Sequence, residues 1–142
     1  MLGLFGLGRK PAFKMMDKFI AVLKREGIKY DVSKDKPYVY IKYKGDNFDS
    51  LTFSFFFDED GESVALKVFS IVEFQPNQLL DAYEYCNKMN ASYRWIKFYV
   101  DDDNELTADM DAVINDKTVG EECYELLGRA VRIVDKACGE LN

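Results

Sequence analysis

With 142 residues, 48% of them hydrophobic and 15% aromatic, the chain has the size of one domain and enough apolar content to bury a core, which excludes a disordered polymer. A formal charge of −6 excludes the concentrated Lys and Arg surface that releases counterions from nucleic acid or an acidic membrane. The complete lack of histidine removes the usual general base, nucleophile activator and metal ligand.

The first residues, MLGLFGLGRKPAF, carry no basic residue ahead of a short apolar run and no small-residue cleavage site, so they do not read as a signal peptide. Residues 1–11 read instead as a flexible tail and 12–142 as a single domain. From Ala12 to Glu26, Phe13, Met16, Phe19, Ile20 and Leu23 recur at helical spacing between Pro11 and Gly27, predicting an amphipathic helix with a proline start and a glycine stop. Three strands follow by alternation. They run through Val39, Ile41 and Tyr43, then Leu51, Phe53, Phe55 and Phe57, then Val64, Leu66, Val68 and Val72. Turn-rich links around Gly45 and Gly61 join them as an antiparallel meander.

Pro76 opens a second helix with the stripe Leu79, Leu80, Tyr83, Cys86 and Met89, and Asn87 and Asn90 stand near its end. Two more strands are expected, one from Tyr93 to Val100 and one from Leu106 to Ile114, around the acidic tip Asp101–Glu105. The last helix begins at Thr118-Val119-Gly120-Glu121, which has capping-box spacing, and runs to about Cys138 before Gly139. The order is α-β-β-β-α-β-β-α, an α+β fold with one antiparallel five-stranded sheet and three helices.

A sheet covered on one face should alternate cleanly between apolar and polar residues. Here Tyr38, Tyr40, Phe56, Phe69, Ile71, Tyr93, Trp95 and Tyr99 hold the parity opposite to the core set. Two arrangements satisfy that pattern. Helices lie on both faces, or one face is left aromatic for a partner, since Tyr and Trp are enriched where an apolar body must keep a polar tip. The interface candidates are Tyr93, Trp95, Tyr99 and Phe56, and a charged residue in place of Trp95 is expected to weaken association.

Charge is uneven: residues 1–50 carry eleven Lys/Arg against six Asp/Glu, and residues 51–142 carry eight against nineteen. Two differently solvated faces produce such a split, as does a charged docking surface. Cys86, Cys123 and Cys138 form no CxxC pair and are odd in number, which fits free thiols in the cytoplasm. No catalytic, metal or cofactor motif is present. Counting from Asp101, Leu106 stands where a calcium loop requires Gly and Ala112 where it requires Glu. A small-ligand or divalent-metal site at Asp101–Glu105, with Arg94 nearby in sequence, is the alternative to a protein-binding role. Gly3, Gly6 and Gly8 do not follow a strand and match no dinucleotide pattern.

The run Tyr85-Cys86-Asn87-Lys88-Met89-Asn90, then Arg94 to Asp101, then Val119-Gly120-Glu121-Glu122 resembles the YbjN family of bacterial proteins, labelled as candidate regulators of sensory transduction. The resemblance is strongest over residues 76–138. It implies a fold similar to type III secretion chaperones, with the same element order. It further implies a non-enzymatic regulatory or chaperone-like role, as a homodimer and in contact with another protein, with no catalytic residue to carry over. Neither nucleic acid nor a membrane is an expected partner.

Overall fold

The computed structural model describes residues 8–141. Most of the expected tail, residues 1–7, lies outside the described residues.

The first helix, α1 (Pro11–Arg25), starts with proline in its first turn. It ends in a Schellman motif, in which the Ile28 N–H donates to the Leu23 carbonyl at 2.9 Å and the Gly27 N–H to the Lys24 carbonyl at 3.2 Å. Gly27 sits at φ +70°, a geometry glycine adopts without the steric cost a Cβ brings. Strands β1 (Asp31–Val32), β2 (Tyr38–Tyr43), β3 (Leu51–Phe57) and β4 (Ser63–Val68) follow, then a 3-10 turn at Pro76–Gln78, α2 (Leu79–Ser92), β5 (Lys97–Val100), β6 (Leu106–Val113) and α3 (Val119–Gly139).

All neighbouring strands pair antiparallel in the order β1-β2-β3-β4-β6-β5. Among the described residues the sheet thus has six strands, one more than expected. β1 escapes the alternation rule because it spans two residues, both exposed, and pairs only with Val39 and Tyr40.

Register places Val39, Phe55, Leu66 and Met110 side by side, with Ile41, Phe53, Val68, Ala108 and Phe98 beside them. These residues form one core with Phe19 and Leu23 of α1, Cys86 and Met89 of α2, and Cys123, Leu127, Ala130 and Val134 of α3. Every strand residue in that core has the same parity, so the three helices cover one face of the sheet only. Phe19 meets Phe55 with ring centroids 4.5 Å apart. At ~25 cal/mol per Å² such fully buried rings each contribute a few kcal/mol to folding.

Two strand ends differ from the alternation pattern for a common reason. Ser70 has φ +56° and Trp95 φ +77°, left-handed conformations that turn the chain out of a strand. β4 therefore stops at Val68 instead of reaching Val72, and β5 starts at Lys97 instead of Tyr93. Beyond Ser70 the chain pairs with the β5–β6 tip, where the Ile71 N–H donates to Leu106 and the Leu106 N–H to Val72. At the start of α3 the expected capping box does not form. The Thr118 hydroxyl meets the Glu122 carboxylate, Asn115 Oδ1 accepts from the N–H groups of Lys117 and Thr118, and Glu121 turns to Arg25 at 2.6 Å.

Candidate interaction face

The face of the sheet away from the helices carries the residues of opposite parity. Along one row Tyr38 lies beside Phe56, Phe56 beside Ala65 and Ala65 beside Asp111. The next row runs Asp31, Tyr40, Ser54, Lys67, Asp109, Lys97 across all six strands. A third holds Lys42 beside Thr52 and, at the far edge, Thr107 beside Tyr99. Phe56 stacks edge-on against Tyr38 at 4.7 Å, and Phe69 approaches Phe56 at 6.2 Å. Phe69 is 48% exposed and Val113 85%, so large apolar side chains meet water here.

The aromatic half gives way to a charged half over β4, β6 and β5. Asp109 is only 6% exposed. Its Oδ2 faces Lys67 Nζ at 3.3 Å and Lys97 Nζ at 3.9 Å, whereas its Oδ1 is buried without a hydrogen-bond donor among the described residues. Burial works against the Lys67 ammonium, but the adjoining Asp109 carboxylate outweighs it and holds the group above its ordinary pKa. The Tyr99 phenol is pushed up by burial and again by Asp109. A carboxylate this deep on an otherwise open face is costly unless all its lone pairs are served.

Of the four interface candidates, the structure brings Phe56 and Tyr99 to this face and leaves the other two elsewhere. Tyr93 packs against the core, and its hydroxyl donates to Glu140 at 3.3 Å. Trp95, 57% exposed, borders Ala112, Leu126 and Arg129 on the helix side. The guanidinium carbons of Arg94 and Arg129 stand 5.1 and 5.4 Å from its ring centre. The alternation that grouped Trp95 with Tyr99 fails because the backbone reverses at Trp95 itself. Lys67, Asp109 and Lys97 were not singled out from the sequence; an Asp within the apolar stretch Leu106–Val113 was the signal that could have found them.

At the acidic tip, carboxylate oxygens of Asp101, Asp103 and Glu105 all lie within 4.8 Å of one another. Asp101 is tied into the turn. Its Oδ1 accepts from the N–H groups of Asp103 and Glu105 at 2.9 and 3.0 Å and its Oδ2 from the Thr107 hydroxyl at 2.9 Å. Although burial pulls the other way, those donors hold the Asp101 carboxyl below its ordinary pKa. No helix among the described residues is long and apolar enough to cross a membrane.

The described residues thus form an α+β domain with one helix-covered sheet face and one that no described element covers, aromatic and charged. The profile of the YbjN family, described as "Putative bacterial sensory transduction regulator", matches residues 16–141, and the chain belongs to that family. Among solved structures it is similar to the crystal structure of YbjN, "a putative transcription regulator from E. coli", with a TM-score of 0.66 and 12% identity over 88% of this chain and 89% of that one. That identity speaks for a shared fold alone. No curated protein sequence matches the chain. The family description names a regulator and no reaction.

Proposed function

We propose that this protein is a non-enzymatic regulatory interaction domain that works by docking proteins, a second copy of itself among them, on the open face of its sheet. The observation that carries this reading is the one-sided coverage: three helices seal one face, while Tyr38, Phe56, Phe69 and Val113 line the other under no element of the described chain. Exposed apolar side chains grouped on one face and rimmed by polar residues mark interaction surfaces on soluble proteins. The family description as a regulator agrees with a role in which the output is binding, and a chaperone-like use of the same face is the finer form of this proposal.

The test is light scattering with paired variants. Phe56→Arg on the open face should abolish self-association with an unchanged circular-dichroism spectrum. Trp95→Arg and Tyr93→Ser, on the other side, should leave it intact. Association that survives Phe56→Arg and fails with Trp95→Arg would move the docking surface to the Trp95 side and overturn the assignment.

A second reading rests on the convergence of Asp101, Asp103 and Glu105, where oxygen ligands would suit a hard divalent cation. Titration calorimetry with calcium and magnesium decides it: a saturable signal lost in Asp103→Asn supports a cation site, and heat no larger than dilution leaves the cluster as a turn.

A further inference from the structure

We infer that the open face is covered by a second copy related by a two-fold axis in the interface, parallel to the strands, so that the β1 edge of one copy lies over the β5 edge of the other. This rests on the reading of that face as the docking surface and adds the occupant and its register.

The argument begins with charge. The chain carries −6 overall, so two copies repel through most of their surfaces. On the paired strand positions of the open face, however, Lys42, Lys67 and Lys97 are matched by Asp31, Asp109 and Asp111. This is where two copies can approach without net repulsion.

Symmetry then limits the geometry. Face-to-face contact of identical sheets through a closed two-fold needs an axis lying in the interface, and aligned packing puts that axis along or across the strands, give or take the ~30° sheet twist. An axis across the strands and through the middle row sets each of its residues over itself in the other copy. Lys67 then meets Lys67 and the buried Asp109 meets Asp109, like charges that cost several kcal/mol.

An axis along the strands reverses the row instead. Asp31, Tyr40, Ser54, Lys67, Asp109, Lys97 read against the same row backwards sets Asp31 over Lys97, Tyr40 over Asp109 and Ser54 over Lys67. Each pair joins opposite charges or a hydroxyl and a charge. In the row above, Tyr38 falls over Asp111 and Phe56 over Ala65, a ring against the smallest side chain of that face. One operation thus pairs the aromatic half of each copy with the charged half of the other.

Within one chain Asp31 and Lys97 stand on opposite sheet edges, five strand spacings or roughly 24 Å apart. Any energetic coupling between them must therefore pass through a second copy. In sedimentation equilibrium, Asp31→Lys and Lys97→Asp are each expected to raise the dimer dissociation constant about tenfold or more. The double exchange should restore it to within about threefold of the unmodified protein. Lys97→Asp alone also disturbs the in-chain contact with Asp109, but rescue by Asp31→Lys cannot come from that contact. Circular dichroism of each variant checks that the fold persists.

If Phe56→Arg breaks the dimer while the double exchange does not rescue the singles, the face is an interface in another register and this inference is overturned, with the broader reading still standing. A dimer indifferent to Phe56→Arg and to both charge changes overturns the two together. A protein that stays monomeric at every concentration removes the second copy as occupant and overturns the inference.

Discussion

The Asn90 side-chain amide accepts from the Phe98 N–H at 2.7 Å through Oδ1 and donates to the Phe98 carbonyl at 3.0 Å through Nδ2. β5 is an edge strand, and unpaired groups on such an edge invite another chain to add to the sheet. One side chain near the end of α2 therefore closes the edge at its centre. Asn90→Ala leaves both groups of Phe98 unserved and is expected to lower stability by about 2 kcal/mol, read from the urea midpoint at constant slope. Asn90→Asp keeps an acceptor for the Phe98 N–H but sets a carboxylate oxygen against the Phe98 carbonyl, so it should not recover the loss. In sequence Asn90 reads as a helix-ending residue, because its actual partner lies across a turn whose path local propensity does not reveal. Asp109 is similar: its charge is visible in the sequence, but the two lysines that hold it come from β4 and β5.

Helix placement was legible because apolar spacing reports which side of an element is buried, and α1 and α3 bury the side that spacing marks; in α2 only Cys86 and Met89 of the expected stripe are buried, together with Ala82, while Leu80 and Tyr83 face solvent. Strand ends were not legible, since single residues such as Ser70 and Trp95 reverse the backbone for tertiary reasons that a period of two does not encode. How closely elements approach is likewise invisible until the structure is seen, and Gly120 shows it. A Cβ there would lie 2.8 Å from Val22 Cγ2 and 2.9 Å from the Lys18 carbonyl oxygen, so the first turn of α3 rests directly on α1. Gly120→Ala gains up to ~1 kcal/mol of helix propensity but loses about 1–3 kcal/mol to overpacking. Net destabilisation of about 1–2 kcal/mol is expected in thermal unfolding, and a raised Tm would show that the two helices yield freely at this contact.

For the whole molecule, the two-sided sheet was legible as a surplus of aromatics, but which of them share a face depended on register and on the reversal at Trp95. The same one-sided core makes the thiols reporters of global opening. Cys86 on α2 and Cys123 and Cys138 on α3 are all buried, and burial pushes each thiol up, Cys138 to about 11 and Cys123 further still. A group whose folded pKa is raised adds stability below its unfolded value and loses it as pH climbs towards the folded one. Stability should therefore hold through neutral pH and fall from about pH 9 through 11, followed by urea denaturation at each pH. Near neutral pH the Cys138 thiol therefore stays protonated in the folded state, so alkylation in the native state has to wait for opening. Because α2 and α3 share one core with the sheet, labelling of Cys123 should require the full unfolding free energy and track the urea curve. Labelling of Cys123 much faster than global unfolding would show instead that α3 opens by itself, which a single cooperative core does not permit.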